Sequence, residues 1–380
     1  MCTDVDSLGV GLQVRAVSNL KKSPLDAIHR ESGGRMIPFA GWEMPESYHS
    51  AVEEHQAVRE GVGQFDISHL GQIFVEGKDA EKWLNSFLTN DVTELADGQG
   101  HYTFFLNEEG CIIDDLMLYR LRKEAYFLVV NASCLTGDVA WLESLLIEGI
   151  SVRDESAKSA AIAVQGPKSV DVFSRVFGGR TLPSQNRVDE LTLDGQSLWV
   201  CRTGYTGEDG FEFFCPKRDA ERWWEEFEEV GAKPCGLSAR DSLRVEKCYP
   251  RNGWELDSSH TPLEVGLGSC VKLEKDEFIG KEALLAAMDG ELSGQQVSGK
   301  QLVAILCDEG STPLQEGDRV CNESGEEIGV LSSGILSPTL SVGIGMSYLS
   351  KRFAGVGTKL FINSGDNKVS AKVVKKPFVA

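Results

Sequence analysis

A polar, glycine-rich stretch between Asp289 and Lys300, Gly-Glu-Leu-Ser-Gly-Gln-Gln-Val-Ser-Gly, separates two kinds of sequence pattern. Before it, helical and strand-like periodicities are mixed. Beyond it, from Leu302 onward, short alternating segments with frequent turn residues carry no helical periodicity. The pattern predicts an α+β region over 21–288, a linker over 289–300 and a small all-β barrel domain over 301–380. At 380 residues the chain exceeds the size at which one core stops growing. The long first region is therefore expected to hold two α+β subdomains, split near residue 155. Residues 1–20 read as a loose tail. No internal sequence repeat is visible, but helix-plus-strand units on either side of 155 leave room for structural pseudosymmetry.

Within the first region, Asp79 precedes apolar residues at Ala80, Trp83, Leu84, Phe87 and Leu88, the stripe of an amphipathic helix. Further helices are expected over 50–59, 219–230 and 281–288. Ile112 to Leu121 and Tyr126 to Asn131 are short, apolar and β-branched, and Arg122-Lys123-Glu124 joins them as a polar turn, which predicts a hairpin.

The densest chemistry lies in Arg202-Thr203-Gly204-Tyr205-Thr206-Gly207-Glu208-Asp209-Gly210-Phe211-Glu212. Glycines at 204, 207 and 210 permit positive φ and close approach of backbone to a ligand. Tyr205 offers a face for a flat heterocycle, and Glu212 offers two acceptors to paired N–H donors, a set that suits a pterin. By itself such a stretch equally suits a turn between two strands.

Asp114 and Asp115 interrupt an apolar strand. Alternation places Asp115 with Ile113, Met117 and Tyr119, and Asp114 with Ile112, Leu116 and Leu118. A strand this apolar buries a carboxylate only where hydrogen bonds or a ligand hold it, so two adjacent acids allow one structural and one functional role. Parity alone does not choose between them. In Gly236 to Glu246, helical spacing brings Arg240, Arg244 and Glu246 to one edge, where one arginine is free to hold an anion or carbonyl and the other an acid.

Other chemistries find no support. The ten cysteines show no C-x-x-C, the six histidines have no metal-ligand spacing, and no Walker, G-x-S-x-G or complete G-x-G-x-x-G motif occurs. Neither a metal nor a flavin is expected. Cys111 reads as an inert thiol, since no histidine lies near it in sequence. Scattered cysteines suit a reducing, cytoplasmic compartment, the start of the chain lacks an export pattern, and no segment reaches the length of a membrane span. A net charge of −20 argues against nucleic acid and anionic membranes. The charge is uneven, with seven Lys/Arg and one acid over 351–380.

Taken in order, Phe39-Ala40-Gly41-Trp42-Glu43-Met44-Pro45, Phe65-Asp66-Ile67-Ser68-His69, Leu88-Thr89-Asn90-Asp91, Asp114-Asp115, Val129-Val130-Asn131-Ala132, Gln165-Gly166-Pro167, the 202–212 segment, Ala239-Arg240-Asp241 and Lys375-Lys376-Pro377-Phe378 resemble the glycine cleavage T-protein family, aminomethyltransferases that use tetrahydrofolate. The resemblance runs from about residue 20 to the end. It implies a three-domain, cloverleaf-like α+β protein with folate in a central channel. It implies Asp115 as the catalytic acid near N10 of the folate, Tyr205 and Glu212 as pterin contacts, Asn131 and Arg240 as further ligand residues, and Tyr102 and Leu106 as channel lining. The implied reaction moves a methylene group from the aminomethyl-dihydrolipoyl arm of the H-protein to tetrahydrofolate, with release of ammonia. Basic residues over 351–376 would receive the acidic carrier.

One segment departs. After Glu246 the family usually continues with a small residue and later Leu-Tyr-Gly, whereas this chain reads Lys247-Cys248-Tyr249-Pro250-Arg251-Asn252-Gly253-Trp254-Glu255-Leu256-Asp257. That stretch, with Thr261-Pro262-Leu263-Glu264, looks closer to the folate domains of dimethylglycine and sarcosine dehydrogenases. It leaves open a stand-alone folate-dependent transferase acting on a different donor. A non-catalytic folate-binding assembly protein is the other alternative, disfavoured because the acid pair and the 202–212 segment are intact.

Overall fold

The computed structural model describes residues 20–193, 195–292, 299–308, 313–365 and 367–380. The expected tail up to residue 19 and linker residues 293–298 lie outside them. The first part of that linker is helical: the helix Lys281–Leu292 runs four residues beyond its expected end. No proline interrupts it, Gly290 alone costs only about 1 kcal/mol, and Leu284, fully buried, anchors the helix.

Two sheets make up most of the region before the linker. The first has the order Gln99–Leu106, Ile112–Arg122, Ala125–Val130, Gly71–Glu76, Ser151–Asp154. The second has the order Val188–Leu193, Gln196–Cys201, Gly210–Pro216, Ser159–Gln165, Gly63–Asp66, Lys233–Pro234.

Both follow one plan. A strand (71–76 or 159–165) leads to a helix (Ala80–Asn85 or Ser169–Val176), three antiparallel strands, a second helix (Leu135–Ser144 or Ala220–Glu229) and a last strand. The pseudosymmetry left open by the sequence is therefore present, hidden because the two units share pattern rather than residues. One strand breaks it. Gly63–Asp66 precedes the first unit in the chain but pairs with Ser159–Gln165 and Lys233–Pro234 in the second sheet. The second lobe is thus assembled from both sides of the first, and a single cut near 155 does not describe it.

The helices cover the outer faces. Trp223, Trp224 and Phe227 pack with Phe177, Phe211 and Phe213 on the second sheet. Trp83, Leu84 and Phe87 pack with Phe105 and Leu116 on the first. The inner faces pack on each other through Phe74, Tyr119, Phe127, Trp199 and Phe214, with Phe127 and Phe214 edge to face at 5.1 Å. Each such aromatic ring contributes about 1.5–3 kcal/mol on full burial.

Side-chain alternation now fixes where the acids point. Leu116 and Leu118 face the helices, so Asp114 does too. Met117 and Tyr119 face the second sheet, and Asp115 shares their side. On Gly210–Pro216, Phe211 and Phe213 face helices, while Phe214 and with it Glu212 face the first sheet. Asp115 and Glu212 therefore look into the same interlayer from opposite sheets.

The C-terminal strands close into a six-stranded barrel in the order Lys300–Cys307, Gly343–Ser350, Glu327–Leu336, Arg319–Cys321, Lys359–Ser364, Asn367–Val374. Phe104, Leu106 and Ile112 of the first sheet pack with Leu302, Ala304 and Met346 of the barrel. Glu246, at the end of the helix Leu237–Glu246, accepts from Ser337 Oγ and Thr339 Oγ1 of the barrel. The expected α+β class with a C-terminal barrel is what the chain adopts, as three lobes in mutual contact.

Candidate functional site

Asp115 sits on the Ile112–Arg122 strand opposite Phe104 of the neighbouring strand. Tyr102 Oη donates to its Oδ2 at 2.6 Å, and Asn131 Nδ2 donates to its Oδ1 at 2.9 Å. Asn131 stands just past the end of Ala125–Val130, so its amide is aimed back at the adjacent strand. Burial, and then the neighbouring Asp114, push the Asp115 carboxyl up to about 7 against those two donors. That is the range in which a side chain can both hold and release a proton near neutral pH.

Asp114 takes the structural role. It is fully buried and accepts from Asn131 N, Asn131 Nδ2 and Asn252 Nδ2 at 3.1, 2.8 and 2.9 Å. Asn252 belongs to the segment that departs from the family, and Cys134 Sγ, 3.3 Å from its Oδ1, fixes which way the amide points. Pro250 in the same segment accepts from Tyr205 Oη at 2.5 Å. Trp254 Nε1 donates to Glu316 at 2.5 Å, and the Arg251 guanidinium lies 3.4 Å from the Trp254 ring centroid. The unusual residues thus tie the acid pair and Tyr205 to the barrel.

Across the interlayer, Glu212 is 7% exposed and accepts from Thr203 Oγ1 at 2.6 Å, while Thr203 in turn meets Tyr119 Oη at 2.7 Å. Burial raises the Glu212 carboxyl, opposed by Thr203 and by the charge of Arg240. Arg240 lies with its guanidinium carbon 5.0 Å from the Tyr205 ring centroid, and its Nη1 is buried with no hydrogen-bond partner among the described residues. Arg244, by contrast, is saturated by Asp241, Glu255, Ser333 and the Tyr249 carbonyl. The two arginines divide their work as their spacing allowed.

Two of the three glycines of the 202–212 segment serve a purpose other than the one their sequence suggests. Gly207 alone of the three has positive φ, at +76°. Cβ atoms at Gly204 and Gly210 would lie 1.8 and 2.5 Å from the Gln165 side chain. These two glycines admit Gln165, whose Nε2 donates to the Thr203 carbonyl and whose Oε1 accepts from Thr206. The close approach is to a protein side chain that holds the loop's shape. Arg202 and Asp209 close its neck with bonds of 2.9 and 2.7 Å.

Of the residues singled out from sequence, Tyr102, Asp115, Asn131, Tyr205, Glu212 and Arg240 come together around the interlayer. Leu106 is fully buried in the apolar cluster between the first sheet and the barrel, against which Tyr102 also packs. Thr203, Gln165, Asp138 and Asn252 belong to the site or its support and were not singled out. Asp138 left a trace in the sequence, an acid on the apolar stripe formed by Leu135, Val139 and Leu142 of the helix Leu135–Ser144.

A half-buried cation with a buried, unused nitrogen, and beside it a buried carboxylate and a tyrosine ring, make a site that suits a planar ligand carrying both donors and acceptors. Residues 25–275 match the GCVT N-terminal domain, and 300–380 match the glycine cleavage T-protein C-terminal barrel domain. The chain is 36% identical over 368 residues to an aminomethyltransferase of Halalkalibacterium halodurans, covering 95% of this chain and 99% of that one. It is 39% identical over 366 residues to one of Bacillus mycoides, covering 94% and 98%. The solved glycine cleavage system aminomethyltransferase T of Bartonella henselae superposes with a TM-score of 0.88 at 31% identity, over 95% of this chain and 98% of that one. No helix among the described residues is long and apolar enough to cross a membrane. The chain belongs to the glycine cleavage T-protein family of aminomethyltransferases.

Proposed function

We propose that this aminomethyltransferase takes tetrahydrofolate into the interlayer, with the pterin ring held by Tyr205, Glu212 and Arg240 and the acid pair at the reacting end. The observation that carries this reading is the unpartnered Arg240 Nη1 in the field of the buried Glu212, since a buried polar atom without a partner costs about 1–3 kcal/mol until a ligand meets it. Glu212, with one oxygen engaged by Thr203, supplies an acceptor for ring N–H groups. When bound, tetrahydrofolate supplies the two nitrogens that take up the methylene carbon.

In the reaction the carrier's C–N and C–S bonds break and two carbon–nitrogen bonds form; one displaced proton leaves with ammonia and the other ends on the lipoyl sulfur. The protein's contribution is mainly proximity in a place screened from water, which can supply several kcal/mol. Asp115, titrating near neutrality, orients the acceptor nitrogen and moves a proton there. The lipoyl carrier, the H-protein, docks through basic residues of the barrel. Within 351–376, Lys359, Lys368 and Lys375 are exposed, whereas Lys376 turns inward and donates to the Val265 carbonyl.

The test is ammonia release from aminomethylated carrier with and without tetrahydrofolate, in the wild type and in Asp115→Asn. The variant is expected to bind folate and lose most turnover. Turnover near the wild-type level would remove Asp115 from the mechanism.

A further inference from the structure

The helix Leu135–Ser144 turns Asp138 toward the acid pair. Its side chain is 1% exposed, and neither carboxyl oxygen meets a donor among the described residues. It stands beside another carboxyl, Asp114, close enough to share a hydrogen bond, and within the field of Asp115. A buried carboxylate with no donor and an acid beside it cannot keep its charge. It must hold a proton, and Asp114 is the acceptor available to that proton.

Counting donors orders the three acids. Asp114 accepts from one backbone N–H and two side-chain amides. Asp115 accepts from the Tyr102 hydroxyl and the Asn131 amide. Asp138 accepts from none. Hydrogen bonds to the charged form favour it, so Asp114 ionises first and Asp138 last. The other titratable groups facing the cluster are Tyr102, Tyr205 and Cys134, each held neutral by burial.

We propose that Asp138 is a positioning residue whose carboxyl keeps its proton and donates it in a hydrogen bond to Asp114, keeping Asp114 the charged member of the cluster and leaving Asp115 the member that carries the exchangeable proton. The charge on Asp114 then acts on Asp115 through the shared Asn131 amide, 2.8 Å from one carboxylate and 2.9 Å from the other. Burial and Asp114 push the Asp138 carboxyl up to about 10, in keeping with this order. The inference rests on the reading of Asp115 as the acid of the reaction, and its test is independent of turnover.

Carboxyl-carbon NMR on the full chain labelled at aspartate, with resonances assigned by single Asp→Asn variants, follows each acid separately. Asp138 is expected to stay protonated through neutral pH, and Asp115 to titrate near 7. In Asp138→Leu and Asp138→Ala, Asp114 loses a donor and becomes easier to protonate. The Asp115 midpoint should then fall by about one pH unit, a roughly tenfold loss of proton affinity. Asp138→Asn keeps a donor in the same shape and should hold the midpoint where it was. An ionised Asp138 at neutral pH, or an Asp115 midpoint unmoved in both apolar variants, overturns the proposal. If Asp138→Leu does not fold, the Asp138 resonance in the wild type decides the matter by itself. Wild-type-like turnover in Asp115→Asn would sink the catalytic reading and leave the titration order untouched.

Discussion

Tyr102 Oη lies 2.6 Å from Asp115 Oδ2 and donates to it, one of two donors on a carboxyl that burial has already pushed up to about 7. The phenol is itself buried and raised well above its ordinary range, so it stays a donor at any working pH. Tyr102→Phe removes a bond that favours the charged form, and the Asp115 midpoint should move up, opposite to the effect of Asp138→Leu. A hydrogen bond to a charged group is worth about 1.5–3 kcal/mol, so the shift is on the order of one to two pH units. Carboxyl-carbon NMR checks it; a midpoint that stays put or falls would mean that the phenol does not donate to Asp115.

Glu212 is held at a cost to the fold. Its carboxylate is buried beside Thr203, and burial raises its proton affinity. Glu212→Gln keeps the shape and removes the charge, so the melting temperature is expected to stay level or rise. Folate affinity should fall by about 10–100-fold, the value of one charge-assisted hydrogen bond. Equilibrium binding and thermal melts on one preparation separate the two effects. Unchanged affinity would count against Glu212 as a ligand.

How much of this was legible in the sequence follows from the range of the forces involved. The helix expected over 219–230 forms as Ala220–Glu229, and the 112–131 hairpin forms with its turn at 123–124, because periodicity and turn chemistry are local. The helix over 79–88 stops at Asn85, since Leu88 is drawn into a bridge with Phe105, a tertiary contact no local pattern announces. The acid pair stands out because its strand is apolar, but only the family resemblance points to Asp115 over Asp114, and Glu212 is marked by the glycine-rich segment that it closes. Gln165 has no local signal, since its reason, the space left by Gly204 and Gly210, exists only when two strands pair. Asn252 lies 138 residues from the Asp114 it serves.

The proposed docking of the carrier on the barrel lysines is open to a direct test. Lys359, Lys368 and Lys375 are exposed, while Lys372 is engaged by Asp308 at 3.1 Å. Replacing those three exposed lysines by glutamate should raise the KM for the carrier several-fold at low salt with kcat little changed, and the effect should fade as salt screens it. Folate binding provides the control. A carrier KM unaffected at low ionic strength would place the docking surface elsewhere.

Glu246 joins two lobes. Its carboxylate is fully buried and accepts from Ser337 Oγ at 2.6 Å, Thr339 N at 3.1 Å, Thr339 Oγ1 at 2.8 Å and Arg59 Nη2 at 2.9 Å. Burial pushes its proton affinity up, but the bonds from His55, Ser337 and Thr339 outweigh it, and the carboxyl falls from 4.5 to about 2. A carboxyl depressed in the folded state adds stability above its unfolded value, and that stability is lost as the pH falls from 4.5 toward 2. The shift corresponds to about 3 kcal/mol at neutral pH as an upper figure. Glu246→Gln should therefore destabilise the docked barrel at pH 7, and urea melts of wild type and variant should converge as the medium is acidified through that window. A gap that stays constant down to acid pH would show that the carboxylate's charge does not hold the barrel in place. The location of the effect distinguishes this junction from the acid cluster. Acidification should loosen the barrel where Glu246 grips Ser337 and Thr339, while the Asp114, Asp115 and Asp138 resonances report the acid cluster separately.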